Sequence, residues 1–155
     1  GVAPAMLPLL WMALHFSKLF SSIIGGDLSD RIGRKTLILT GWVIYAVVYA
    51  GFAYADAAWH AWTLFIVYGF YFGLTEGVEK ALVADLVTQE KRGTAFGFYN
   101  LAYGITVFPA SIIFGFVWSK FGAAPAFLMS AAISFIASAC LLTVQSRRES
   151  VMVDR

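Results

Sequence analysis

Five long apolar runs, separated by short polar stretches, dominate the pattern of the chain. They cover residues 4–25, 37–55, 61–82, 95–118 and 124–144, and the third run becomes polar toward its end. A helix of about 20 apolar residues crosses the hydrocarbon core of a bilayer. The pattern therefore predicts an all-α fold, a polytopic transmembrane helical bundle of five spans that forms a single membrane domain over residues 1–155. Residues 145–155 are predicted to form a polar tail.

The composition excludes an ordinary soluble domain. Hydrophobic residues make up 60% of the 155 residues, charged residues make up 13%, and the mean hydropathy is +0.77. A soluble chain of this length lacks the interior volume to bury so many apolar side chains. The net charge of +2 is too small to indicate a nucleic acid partner. The lipid bilayer is therefore the predicted surrounding.

The basic residues outside the spans are distributed unevenly. Only Lys120 lies in the connections on one side of the predicted bundle. The other side carries eight basic residues, which are Arg31, Arg34, Lys35, Lys91, Arg92, Arg147, Arg148 and Arg155. By the positive-inside rule that second side, with the C-terminal tail, faces the cytoplasm. Five spans then leave Gly1 outside, which indicates a missing helix upstream.

The sequence GGDLSDRIGRK, residues 25–35, joins the first two spans. Its pattern is Gly26, Leu28, Ser29, Asp30, Arg31, Gly33, Arg34, Lys35 and, further on, Ile38. This pattern resembles the signature loop of the major facilitator superfamily, and the resemblance covers essentially the whole chain. It implies a partial fold of that family, a fragment of a twelve-helix protein. It also implies that Gly26, Asp30, Arg31, Gly33, Arg34 and Lys35 form a cytoplasmic latch between two six-helix halves.

The resemblance further indicates which half of the twelve helices the chain represents. The signature occurs twice in the family, so the spans could be helices two to six or eight to twelve. The segment Gly73–Gly97 looks like the tenth-to-eleventh region of bacterial members, and the arginine motif typical of the fourth helix is not seen in 61–82. We therefore expect the C-terminal half, with the N-terminal half as the missing partner. The resemblance implies secondary active transport of a small solute by alternating access, in a bacterial inner membrane.

Ionisable residues inside membrane spans are costly and usually face a cavity or a protein partner. His15 and Lys18 share one face of the first span with Trp11, and Glu76 and Lys80 lie one turn apart on the third. His15 could carry a proton, contact substrate or bond a neighbouring helix, and Lys18 could belong to the same substrate or proton pathway or reach toward the cytoplasmic membrane surface. Glu76 could be a proton-coupled carboxylate or form an ion pair with Lys80.

Further polar positions complete the candidate pathway. Asn100 and Tyr103 lie on one face of the fourth span and could orient a substrate. His15 and Glu76 favour coupling of transport to protons. Glu79 is interpreted as structural because it lies nearer the interface. Asp85 is expected to interact with Arg92 beside the cytoplasmic end.

Two series of small residues predict helix packing. Gly69, Gly73 and Gly77 repeat every four residues on the third span, a spacing that lets two helices approach closely. The same spacing recurs at Ser130, Ser134 and Ser138 on the fifth span. Both series are therefore expected to face other helices rather than lipid.

The sequence predicts neither an enzyme nor a cofactor. His15 and His60 lie on different predicted helices, and the chain contains one cysteine, Cys140. No nucleophile and base stand at helical spacing, and no phosphate-binding loop follows a strand. The alternative to a transporter is a five-helix membrane protein that does not transport and assembles with a partner.

Overall fold

The computed structural model describes residues 3–143, and this part of the chain contains five α-helices and no strand. The helices are α1 (Leu7–Ile32), α2 (Arg34–Ala53), α3 (Ala58–Asp85), α4 (Arg92–Phe121) and α5 (Ala123–Thr143). Short 3-10 turns, Pro4–Met6 and Gln89–Lys91, precede α1 and α4. The all-α helical bundle predicted from the sequence is confirmed. The predicted tail at 145–155 lies outside the described residues.

The helices extend well beyond the predicted apolar spans. The first span was expected to end near residue 25, but α1 continues to Ile32, so most of the predicted connection at residues 25–35 is helical. The chain reverses at Gly33 alone, whose φ of +89° is accessible to glycine without a Cβ penalty. Charged residues can remain helical here because the last turns of a 26-residue helix reach past the hydrocarbon core.

Four of the five helices are long and apolar enough to cross a membrane: α1 and α4, each with its preceding 3-10 turn, α2 and α5. The third helix falls outside this set although it has 28 residues. It carries His60 and two tyrosines as well as Glu76, Glu79 and Lys80. It also packs against α1, α2 and α4, so protein rather than lipid surrounds much of its polar surface.

Tyrosines make up much of the contact between α2 and α3. Tyr45 and Tyr49 of α2 stack at 4.1 Å between ring centroids, and Tyr68 and Tyr71 of α3 pack against them. The hydroxyls of Tyr49 and Tyr68 are hydrogen bonded at 3.2 Å. Phe127 of α5 packs edge-on against Tyr49 and thereby extends the aromatic contact to a third helix.

The bundle has a dense side and an open side. On the dense side α3 packs along α1 and α2, and α5 packs on α2. Leu37, Ile38 and Val78 form a buried apolar cluster between α2 and α3. On the open side α4 contacts α5 and, less extensively, α3, and no residue of α4 is buried. Much of the surface of α4 therefore has no partner within residues 3–143.

The basic turn after α1 lies at the same end of the bundle as the C-terminal ends of α3 and α5. Arg34 Nε contacts Asp85 Oδ2 at 2.6 Å, and Lys35 Nζ donates to the carbonyl of Leu142 at 3.2 Å. Asp85 was expected beside Arg92, but it pairs with Arg34 because the start of α2 lies beside the end of α3. These contacts join the start of α2 to the ends of α3 and α5.

Candidate functional site

The close approach of α1 and α3 positions the candidate site. Gly69 and Gly73 are buried against α1, where a Cβ on Gly73 would stand 2.6 Å from the carbonyl oxygen of Lys18. Ser17 Oγ donates to the carbonyl of Ile66 at 2.8 Å, and Ser21 Oγ lies 3.3 Å from the carbonyl of Gly69. The two helices therefore touch backbone to backbone along this stretch.

Gly77 does not continue that close contact. It is exposed, and a Cβ built there would meet nothing within 4 Å. Gly77 instead lines a groove of about 310 Å³ between α1 and α3, together with Gly26, Asp30 and Arg34. The glycine series thus divides into two packing positions and one open position, because α1 and α3 separate toward the charged end.

An ionic cluster lies where the backbones are still close. Lys18 of α1 forms an ion pair with Glu76 Oε2, and Lys80 Nζ contacts Glu76 Oε1 at 3.1 Å. The side chains of Lys18 and Glu76 are 32% and 42% exposed, and Lys18 Nζ also lies 5.4 Å from the ring centroid of Phe72. Both carboxylate oxygens of Glu76 are therefore occupied by ammonium groups. The Glu76–Lys80 spacing was visible in the sequence, whereas the cross-helix pair was not.

A second carboxylate one turn further on has a different environment. Glu79 Oε1 accepts from the indole N–H of Trp42 on α2 at 3.1 Å, and Oε2 accepts from the hydroxyl of Tyr99 on α4 at 3.0 Å. Glu79 therefore bridges three helices through neutral donors. Its distance from Trp42 and Tyr99 in the chain meant that helical spacing could not reveal this site.

Three of the predicted pathway residues lie apart from the ionic cluster. His15 is exposed and stacks on Trp11 at 5.9 Å between ring centroids. Asn100 donates its amide to the carbonyl of Phe96 in its own helix at 2.9 Å, and Tyr103 is 62% exposed. All three belong to helix faces that nothing in residues 3–143 covers.

The signature residues form two ion pairs and one open groove. Asp27 Oδ2 contacts Arg31 within α1 at 3.0 Å, on the outer surface, and Arg34 binds Asp85 across helices. Asp30 is exposed and lines the groove that also contains Arg34. The carboxylate of Asp30 is therefore accessible to a group that lies outside this segment.

The serine series on α5 faces α2. Ser134 Oγ donates to the carbonyl of Trp42 at 2.8 Å. Ser130 and Ser138 donate to carbonyls of their own helix, at 3.2 and 2.9 Å. Ser138 is buried, so small side chains on this face allow α5 to approach α2.

The family model of the Major Facilitator Superfamily matches residues 1–153. The chain belongs to the Major Facilitator Superfamily. The resemblance drawn from residues 25–35 is thereby confirmed. With its long apolar helices, this member of the Major Facilitator Superfamily is an integral membrane protein.

Named relatives are similar to the chain over most of its length. An MFS-type transporter of Methanocaldococcus jannaschii is 37% identical over 79% of this chain and 31% of the relative. The MFS-type transporter YhjO of Bacillus subtilis is 29% identical over 67% of this chain and 27% of the relative. The inner membrane transport protein YajR of Escherichia coli is 28% identical over 84% and 28%, respectively. The match with each of these relatives therefore spans less than a third of the relative's length.

Proposed function

We propose that this chain forms helices eight to twelve, the larger part of the C-terminal half, of a secondary active transporter in a bacterial inner membrane. The transporter carries a small solute by alternating access and couples this movement to protons. The observation that carries the proposal is the Lys18–Glu76–Lys80 cluster, an ionic group partly exposed on helices of a membrane protein family.

The depth of the cluster supports a role in the pathway. Lys18 precedes the turn at Gly33 by about 22 Å of helix, at about 1.5 Å per residue. A hydrocarbon core is about 30 Å thick, so this position lies well inside the bilayer if α1 crosses it. Ionised side chains at such a depth usually face a water-filled cavity or a protein partner. Midplane sites between two halves have this character in secondary transporters.

The exposed helix faces supply the other residues that line the proposed transport pathway. His15, Asn100 and Tyr103 lie on faces without a partner in this segment. In the whole transporter the missing N-terminal half covers these faces, and the cavity lies between the two halves. The polar groups then point to solute rather than to lipid, which explains why they are tolerated on such apolar helices.

The signature segment acts as the latch of this half. Arg34 holds the end of α3 through Asp85, while Asp30 remains open on the groove beside it. An exposed carboxylate at this end can bind a cation or a helix N-terminus of the opposite half. The latch closes when the cytoplasmic ends of the halves meet and opens when they separate.

Transport by the whole protein provides the first test. The full-length transporter, reconstituted in proteoliposomes, is screened for counterflow of a panel of labelled solutes with and without a proton gradient. Glu76→Gln should abolish counterflow of any solute carried by the wild type, because two ammonium groups lose their carboxylate. Glu90→Gln, an exposed loop change, is the matched control and should retain it. Retained counterflow in Glu76→Gln would remove the ionic cluster from the pathway.

The latch is tested by conformation rather than by flux. Spin labels are placed at Thr36, which is exposed at the basic end of α2, and at the corresponding end of the opposite half. Distance measurements should give two populations, and Asp30→Asn should shift their ratio. Asp27→Asn changes a carboxylate that pairs within α1 and should leave the ratio unchanged. A single population in every variant would contradict alternating access.

A further inference from the structure

Glu79 occupies an unusual place among the carboxylates of this chain. Its side chain is partly buried where α2, α3 and α4 meet, and each oxygen accepts one hydrogen bond. Neither of these two donors carries a charge: one is the indole N–H of Trp42 and the other is the hydroxyl of Tyr99. Glu79 therefore lies among neutral partners inside a membrane protein.

Glu76, one turn away, has the opposite environment. Lys18 and Lys80 occupy its two oxygens, and charge-assisted pairs of this kind hold the ionised form. A proton could bind Glu76 only by displacing an ammonium group. The two neighbouring carboxylates therefore differ in their partners. The ammonium groups hold Glu76 as an anion, whereas the neutral partners of Glu79 permit it to gain and lose a proton.

The two partners of Glu79 respond differently to a proton. Indole N–H is a donor only, so Trp42 requires an oxygen that accepts in both states. A phenolic hydroxyl is both donor and acceptor, so Tyr99 can donate to the carboxylate and can accept from the carboxylic acid. A proton on Oε2 therefore reverses the direction of the Tyr99 hydrogen bond, while Trp42 keeps its bond to Oε1.

The Glu79–Tyr99 hydrogen bond is also a polar contact between α4 and the rest of the bundle. Among the described residues, Tyr99–Glu79 is the side-chain hydrogen bond that joins α4 to another helix, whereas Asn100, Thr106, Ser111 and Ser119 bond to carbonyls of their own helix. The remaining anchor is aromatic, through Phe114 and Trp118 against Phe127 of α5. A change in the Glu79–Tyr99 bond therefore acts on the helix that is held most loosely.

We infer that Glu79 binds and releases the coupling proton of the transporter, and that Tyr99 transmits its protonation state to α4. The inference rests on the proposed function and assigns the proton to a residue other than His15 or Glu76. Several titratable or charged groups surround Glu79. They are Tyr71, Glu76 and Lys80 on α3, Tyr99 and Tyr103 on α4, and Lys18 of α1, which Glu76 neutralises.

The test measures the proton itself and needs no solute. The full-length transporter is reconstituted in lipid, and infrared difference spectra are recorded on acidification from mildly alkaline to mildly acidic pH. The wild type should show the carbonyl-stretch band of a newly protonated buried carboxyl group. Glu79→Gln should lose this band, and Glu76→Gln, the matched control one turn away, should keep it. Loss in Glu76→Gln alone, or an equal band in all three proteins, would overturn the assignment.

A second pair of variants keeps the carboxyl group and covers the case in which Glu79→Gln does not fold. Tyr99→Phe removes the reversible partner and should move the midpoint of the band by about one pH unit, since bonds to charged and to neutral groups differ in strength. Thr106→Ala, which removes a hydroxyl that bonds to the carbonyl of Ala102 within α4, should leave the midpoint in place. Equal midpoints in both variants and the wild type would contradict the role of Tyr99. A normal band without counterflow would overturn the proposed function alone.

Discussion

The two helices that flank α3 on its polar side are held in opposite ways. Against α1, α3 presents Gly69 and Gly73, and the two backbones touch. Ser17 donates directly to a carbonyl of α3, and Ser21 packs against Gly69 and Gly73. Against α4, the same helix makes fewer contacts, and its hydrogen bond is the one between Glu79 and Tyr99. One interface is set by fixed backbone geometry and the other by a titratable side chain.

This difference indicates how a single bundle can be rigid and movable at once. Backbone contacts allow little adjustment, because interiors are close-packed and a shift of either helix produces a clash. A side-chain bond on an open face can form and break without repacking a core. We therefore treat α1 and α3 as one body that carries the Lys18–Glu76 pair, and α4 as the element that moves against it.

The largest effect is expected from filling the contact between α1 and α3. Gly73→Val would place a branched side chain 2.6 Å from the carbonyl oxygen of Lys18 and 2.7 Å from the backbone nitrogen of Ser22. The helices must separate, so the free energy of unfolding should fall by about 3 kcal/mol, the upper part of the usual range for overpacking. The measurement is equilibrium unfolding of the purified full-length transporter in mixed micelles.

The matched control lies one turn further along the same helix. Gly77→Ala adds a Cβ where nothing stands within 4 Å, so it should stabilise α3 by about 0.5–1 kcal/mol through its helix propensity. An equal loss of stability in Gly73→Val and Gly77→Ala would mean that both glycines serve the same contact. The comparison between a closed and an open part of the α1–α3 interface would then fail.

The sequence predicted the elements of this fold better than their ends. Apolar runs located five helices because the bilayer requires long apolar segments. They missed the extension of α1 from residue 25 to Ile32, since charged residues outside the hydrocarbon core carry no hydropathy signal. The glycine spacing indicated a packing face, but the divergence of α1 and α3 beyond Gly73 depends on both helices and cannot be found in one.

For the candidate site, contacts within a helix were predictable and contacts between helices were not. The Glu76–Lys80 pair follows from a spacing of four residues. The ion pair from Lys18 spans 58 positions, and its existence depends on the register in which α1 meets α3. Glu79 was interpreted as structural because it lies nearer the interface, and its two donors, which come from other helices, could not be found from the sequence. The position of a residue along one helix indicates its depth in the membrane, but it does not identify the residues that it contacts on other helices.

A smaller effect is expected from removing one hydroxyl of the rigid interface. Ser17→Ala deletes the 2.8 Å bond to the carbonyl of Ile66 and should lower the free energy of unfolding by about 0.6 kcal/mol, the average for such bonds between membrane helices. Ser22→Ala is the control, because Ser22 is exposed and bonds to Leu19 in its own helix. The same unfolding assay measures both. Equal free energies of unfolding in Ser17→Ala and Ser22→Ala would show that glycine packing alone holds α1 on α3.

The smallest effect on overall stability, and the most local one, is expected from Tyr99→Phe. The free energy of unfolding should stay within about 0.5 kcal/mol of the wild type, as for a change on an open face. Amide hydrogen exchange in residues 92–121 should become about twofold faster, because a loss of about 0.5 kcal/mol from the native state applies equally to the opening of α4.

Exchange in α1 and α3 should not change in Tyr99→Phe, since their contact is made by backbone and by Ser17 and Ser21. Tyr103→Phe controls for the loss of a hydroxyl on α4, and it should leave exchange unchanged throughout. Acceleration spread evenly over all helices in Tyr99→Phe would mean that the Glu79 bond supports the whole bundle. Acceleration confined to α4 would mean that the helix moves as a separate element, which is what a proton bound at Glu79 requires in order to act on it.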